Sequence, residues 1–88
     1  MSLVLVGLNH ETAPLPVRER VAYSKDEAVQ TLHELKSMVP QALLLSTCNR
    51  TELYALLADP ADLTRVKETL FFRKFQGNGS DKYLYERS

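Results

Sequence analysis

The apolar positions of the chain fall into short blocks of differing period. Leu3-Val4-Leu5-Val6-Gly7-Leu8 is nearly continuous, the pattern of a strand buried on both faces. Residues 9–16 are polar and contain Pro14 and Pro16. They predict a loop, with Pro16 placed to open a short helix through residues 17–21. Ser24 and Glu27 then stand three apart ahead of a helical stripe of Ala28, Val29, Leu32, Leu35 and Val39. This is a capping box followed by an amphipathic helix, which Pro40 ends.

Residues 42–45 and 53–57 predict two more strands. The polar break at residues 46–51 makes them a hairpin or tight corner with Cys48 at or beside its bend. Asp59-Pro60 predicts another helix start, with aspartate as N-cap and proline in the first turn. Leu63, Val66, Leu70 and Phe71 form its inner face, Gly77-Asn78-Gly79 ends it, and Tyr83-Leu84-Tyr85 is a short fourth strand. The order strand, helix, strand, strand, helix, strand predicts an α+β fold. It is the ferredoxin-like split β-α-β arrangement (βαββαβ), an antiparallel sheet with two helices on one face, as a single domain over residues 1–88.

Charge and composition narrow the function classes. Lys and Arg total 11 and Asp and Glu total 11, a balance that argues against strong non-specific binding to nucleic acid. No apolar run approaches the roughly 20 residues of a membrane span. The first residues lack the features of a signal peptide, so the expected setting is cytoplasmic, where a single cysteine stays reduced. Cys48, His10 and His33 show no metal-ligand spacing, so no metal site is expected. No Gly-rich strand-to-helix turn is present, so the chain carries no dinucleotide-binding fingerprint.

The candidate chemistry gathers at "STCNRTE", residues 46–52. A lone cysteine is most often a small buried hydrophobe, but Cys48 has only polar neighbours. A guanidinium nearby favours the thiolate, which is the nucleophilic form. Arg50 is either a solvated turn residue or a planar fork for a carboxylate or phosphate. Thr47 and Asn49 suit turns, and they also suit donation to a carbonyl oxygen that becomes negative on attack. His10, just past the first strand, is a candidate base for Cys48 if that strand ends near the hairpin bend. His33 reads as a helix-surface residue. Lys67, Arg73 and Lys74 form a mild basic cluster whose simplest reading is a solvated face.

Two stretches carry a resemblance. "VGLNHETAPLPVRERVAY" and "LLLSTCNRTELYA" closely resemble the N-terminal catalytic domain of glutamyl-tRNA reductases. The first follows the family's G-x-N-H-x-T-A-P-x-x-x-R-E-R pattern at Gly7, Asn9, His10, Thr12, Ala13, Pro14, Arg18, Glu19 and Arg20. The second follows its S-T-C-N-R-T-E motif from Ser46 to Glu52. The resemblance implies an NADPH-dependent enzyme that converts glutamyl-tRNA to glutamate-1-semialdehyde, the first step of the five-carbon route to tetrapyrroles and haem. It implies Cys48 as the thiol that forms a thioester and Arg50 as the reader of the glutamate side-chain carboxylate. Thr47 and Asn49 become substrate contacts, and His10 and Glu52 supporting residues. Family members are several times longer, with a helical spine, an NADPH-binding domain and a dimerisation domain. This chain is therefore expected to be the glutamyl-binding catalytic domain without them, binding no cofactor by itself. The implied partners are glutamyl-tRNA as substrate, a second copy in the full-length homodimer, and glutamate-1-semialdehyde aminomutase. The rival expectation from the residues is a non-catalytic ferredoxin-like module that binds a ligand or partner, with Cys48 incidental.

Overall fold

The computed structural model describes residues 2–75 and 80–87. The first apolar block forms strand β1 (Ser2–Asn9). A turn leads to helix α1 (Leu15–Val21), with Pro16 in its first turn, and then to helix α2 (Lys25–Leu35). The capping box is formed: Ser24 Oγ accepts from Glu27 N at 3.2 Å, and Ser24 N donates to Glu27 Oε1 at 3.1 Å. Strands β2 (Gln41–Ser46) and β3 (Arg50–Leu57) make the expected hairpin. Helix α3 (Asp62–Lys67) runs into a wider π-helical turn (Glu68–Phe72), and a 3₁₀ turn (Ser80–Tyr83) precedes strand β4 (Tyr85–Arg87). The predicted Gly77-Asn78-Gly79 stop lies outside the described residues.

The four strands lie in the order β2-β3-β1-β4 with every neighbouring pair antiparallel. The fold is α+β as expected, and the short helix expected after Pro16 is α1, a third helix beside the two of the ferredoxin-like pattern. Side chains alternate across the sheet. Val4, Val6 and Leu8 of β1 and Leu53, Ala55 and Leu57 of β3 are buried with Val21, Leu35, Val66, Leu70 and Phe71 from the helical side. Burying a side chain of this size contributes about 1.5–3 kcal/mol.

The other sheet face is bare. Leu3 and Leu43 are each 63% exposed, so β1 is not buried on both faces as its continuous apolar pattern suggested. The pattern reported the strand's propensity, not a second helical layer. Val29, expected on the inner stripe of α2, is 53% exposed, and Thr31 is buried in its place. The helix also ends at Leu35, and Val39 reaches the core from the turn beyond it, where Val39 N donates to Leu35 O at 2.9 Å. Asp59 does not cap α3. Its carboxylate accepts from Ala61 N at 3.0 Å, closing a tight turn that leads into the helix from two residues before the cap position, Ala61. The fourth strand begins at Tyr85, so Tyr83 and Leu84 fall before it.

Candidate functional site

Both stretches singled out in the sequence meet at one end of the sheet. Asn9 pairs with Arg50 across the β1–β3 ladder, so the end of β1 lies beside the β2–β3 bend. The condition set for His10 is thereby met, and His10 is exposed at that corner. The corner itself is a hydrogen-bonded knot. Asn9 Oδ1 accepts from Glu11 N at 2.8 Å and Thr12 N at 3.1 Å, while Thr12 Oγ1 accepts from Asn9 N at 3.0 Å. Asparagine and threonine three apart suit this geometry because their short polar side chains stand in for backbone partners.

The hairpin bend is built by Thr47. Its N–H donates to Arg50 O at 2.8 Å, and its Oγ1 accepts from Asn49 N and Arg50 N, each at 3.2 Å. The hydroxyl is thus a turn-former that keeps its own hydrogen to donate. The turn displays Thr47, Cys48, Asn49 and Arg50 to solvent, and the thiol is free. Cys48 is therefore not an inert core residue. The helix-facing side of the same hairpin is tied down: Ser46 Oγ lies 3.2 Å from Thr51 Oγ1 and accepts from Tyr23 N at 2.9 Å.

Arg18 on α1 was visible only as a motif position. Its Nη1 donates to Cys48 O at 3.4 Å, joining the two stretches directly. Its Nε is buried with no hydrogen-bond partner. A contact spanning 30 residues leaves no local signal in the sequence.

Arg50 opens β3, and its side chain is 52% exposed on the bare face of the sheet. Its Nη1 lies 3.5 Å from Oε1 of Glu52, two residues along the same face. Glu52 is only 6% exposed. Tyr54 Oη donates to its Oε1 at 3.4 Å, and Tyr85 Oη donates to its Oε2. Burial, then the bond to Glu52, pushes the Tyr85 phenol well above its ordinary value, so it stays a donor. Tyr54 and Tyr85 were not foreseen as parts of this cluster.

The basic cluster resolves into ion pairs. Arg73 Nη1 meets Glu34 Oε2 at 2.9 Å, Lys74 Nζ meets Glu27 Oε2 at 3.0 Å, and Lys67 Nζ meets Glu86 Oε2 at 2.6 Å. His33 is exposed on α2. Among the described residues, no group of three or more His, Cys, Asp or Glu side chains comes together for a metal ion, and no helix is long and apolar enough to cross a membrane.

The comparisons fit both stretches. The family model described as glutamyl-tRNAGlu reductase, N-terminal domain, matches residues 6–87. The chain belongs to that family. A glutamyl-tRNA reductase of Xanthomonas campestris pv. campestris is 51% identical over 88 residues, which is 98% of this chain and 19% of the relative. One from Thiobacillus denitrificans is 49% identical over 67 residues, 74% of this chain and 16% of the relative. The solved glutamyl-tRNA reductase of Methanopyrus kandleri superposes with a TM-score of 0.68 at 26% identity, over 97% of this chain and 18% of that one. The chain thus spans about a fifth of the length of the curated relatives it matches.

Proposed function

We propose that this chain carries the acyl-accepting site of a glutamyl-tRNA reductase, with Cys48 as nucleophile and Arg50 as the reader of the glutamate side chain. The observation that carries the reading is the turn at residues 47–50, which holds an exposed thiol two positions from a half-exposed guanidinium tethered on one side by Glu52. In glutamyl-tRNA the α-carboxyl group is tied up in the ester, so the free carboxylate is the one a planar cationic fork would select.

The Cys48 thiolate attacks the ester carbonyl. A C–S bond forms as the C–O bond to the terminal ribose breaks, and the ribose oxygen leaves with a proton. Thr47, through its free hydroxyl hydrogen, and Asn49, through its exposed amide, are placed to donate to the carbonyl oxygen as it becomes negative. His10, on the neighbouring corner, is the proposed proton acceptor for the thiol. Thioester formation prepares the acyl group for reduction, because a thioester accepts hydride more readily than an oxygen ester. The resemblance implies NADPH as the hydride source. The described residues offer no Gly-rich turn between strand and helix to cradle a dinucleotide. The ferredoxin-like assignment is part of the proposal, supported by the strand order and by helices packed on one face only. So are the cytoplasmic setting, the homodimer and the aminomutase as recipient of the product, all three resting on the resemblance.

A single-turnover trap tests the reading. The chain is mixed with tRNA charged with labelled glutamate, quenched in acid and weighed by mass spectrometry, with Cys48→Ser alongside. A glutamyl adduct on Cys48 that is absent from the variant supports the proposal. Folded protein that forms no adduct overturns it for this chain.

A further inference from the structure

Glu52 lies on the sheet face that no helix covers, where water would ordinarily reach a carboxylate. It is nevertheless buried, and the register explains how. Gly7 of β1 pairs with Glu52 on one side and with Tyr85 of β4 on the other. All three positions present the same face, and the middle one has no side chain. Tyr85 is long enough to reach across that gap and donate its phenolic hydrogen to Glu52 Oε2. Any Cβ at position 7 would lie 2.8 Å from Glu52 Cγ, so glycine is what opens the path.

The other carboxylate oxygen is shared. Tyr54 Oη and Arg50 Nη1 approach Glu52 Oε1 at 3.4 and 3.5 Å. A buried carboxylate needs its charge balanced and its lone pairs occupied. Among the described residues Arg50 is the cation that balances it, and the two phenols fill the remaining positions. One nitrogen of the guanidinium is therefore committed inward while much of the side chain faces solvent. With Oε2 held by Tyr85, the carboxylate is turned so that Oε1 faces Arg50 Nη1 and biases the direction of the fork.

We propose that Tyr85 is a positioning residue: by holding Glu52 across Gly7, it fixes the orientation in which Arg50 meets a substrate carboxylate beside Cys48. This rests on the reading of Arg50 given above. It assigns to the last strand a share in substrate selection, beyond closing the sheet.

The test compares two thiol reagents of similar size on Cys48. Each forms a C–S bond as its C–I bond breaks, releasing iodide. Iodoacetate carries a carboxylate, and iodoacetamide is its neutral counterpart. A guanidinium held beside the thiol raises the iodoacetate rate relative to iodoacetamide. Arg50→Ala gives the ratio without the fork. Tyr85→Phe and Tyr85→Leu, which remove the phenol and leave every charge in place, should each lower the ratio about fivefold towards that value, the scale of about 1 kcal/mol of lost orientation. Glu86→Ala removes the Lys67–Glu86 pair that anchors β4 but leaves the phenol, and should keep the wild-type ratio. Tyr85→Phe with the wild-type ratio overturns the proposal. Should that variant fail to fold, Tyr85→Leu with the wild-type ratio overturns it equally. A Glu86→Ala ratio as low as that of Tyr85→Phe reduces the role of Tyr85 to anchoring the strand and also overturns it. A ratio unchanged in Arg50→Ala removes Arg50 as carboxylate reader, and this inference falls with that reading, whatever the outcome of the tRNA trap.

Discussion

Gly7 and Glu52 stand opposite each other in the β1–β3 ladder, and the glutamate's side chain occupies the space a side chain on residue 7 would need. A Cβ there would lie 2.7 Å from Thr51 O and 2.8 Å from Glu52 Cγ. The first of these is backbone and cannot swing aside. Gly7→Ala is therefore expected to cost about 1–3 kcal/mol, the usual scale of overpacking. Urea denaturation should show a lower midpoint with an unchanged slope. A variant as stable as the wild type would mean that the ladder yields easily at this point.

The hydrogen bonds of the α2 capping box join Ser24 and Glu27 to each other, so their loss should act on stability alone. Ser24→Ala removes the oxygen that accepts from Glu27 N. The expected loss is about 1 kcal/mol. For a domain of this size that lowers the melting temperature by about 4–8 °C. Alkylation of Cys48 should proceed at the wild-type rate.

Tyr23 predicts a stability loss in alkali. Its phenol donates to Leu70 O in the π-helical turn, and Lys74 Nζ lies 4.0 Å from its ring centroid. Burial pushes its pKa from 10.0 up to about 12. The folded state therefore holds this proton after the unfolded chain has released it. The associated stability is intact below pH 10 and is lost as pH rises towards about 12. Tyr23→Phe should cost about 1 kcal/mol at neutral pH through the lost hydrogen bond. It should also show a shallower decline between pH 10 and 12 in pH-dependent urea melts. An equal decline in both proteins would place the alkaline loss elsewhere.

Arg18 should govern the mobility of the nucleophile turn more than global stability. Its bond to Cys48 O is exposed, and its buried Nε has no partner, so the side chain stabilises and costs at once. Arg18→Met keeps the apolar stem and removes both groups. The melting temperature should change little, while hydrogen exchange at the Asn49 amide should quicken several-fold, as expected for a turn freed from a tether. Exchange at the wild-type rate would show that Thr47 alone holds the bend.

Local patterns carried the fold well, and contacts across the sheet carried the rest unseen. The capping box of Ser24 and Glu27, the hairpin around Cys48 and the apolar blocks of β1 and β3 are all decided within a few residues. Elsewhere the local pattern fits two outcomes. Val66, Leu70 and Phe71 face the core, and their spacing did not announce that a π-helical turn carries the last two. The residue before a proline is disfavoured in helical conformation, yet Pro40 marked only the outer limit of α2, which ended at Leu35. The grouping of Thr47, Cys48, Asn49 and Arg50 at one exposed bend was legible because they are consecutive in the sequence. The contacts from Arg18 to Cys48 O and from Tyr85 to Glu52 span 30 and 33 residues. They exist only once helix packing and strand register are set.

The exposed thiol has a consequence for the protein's behaviour in air. Cys48 is the one cysteine among these 88 residues, so a disulfide between two copies of this chain joins Cys48 to Cys48. Two copies linked in this way hold their hairpin bends against each other, so neither thiol is left free to react. A preparation of this chain left to oxidise would thus pair up and lose its free thiol in one event, and added reductant would restore single chains and thiol reactivity together.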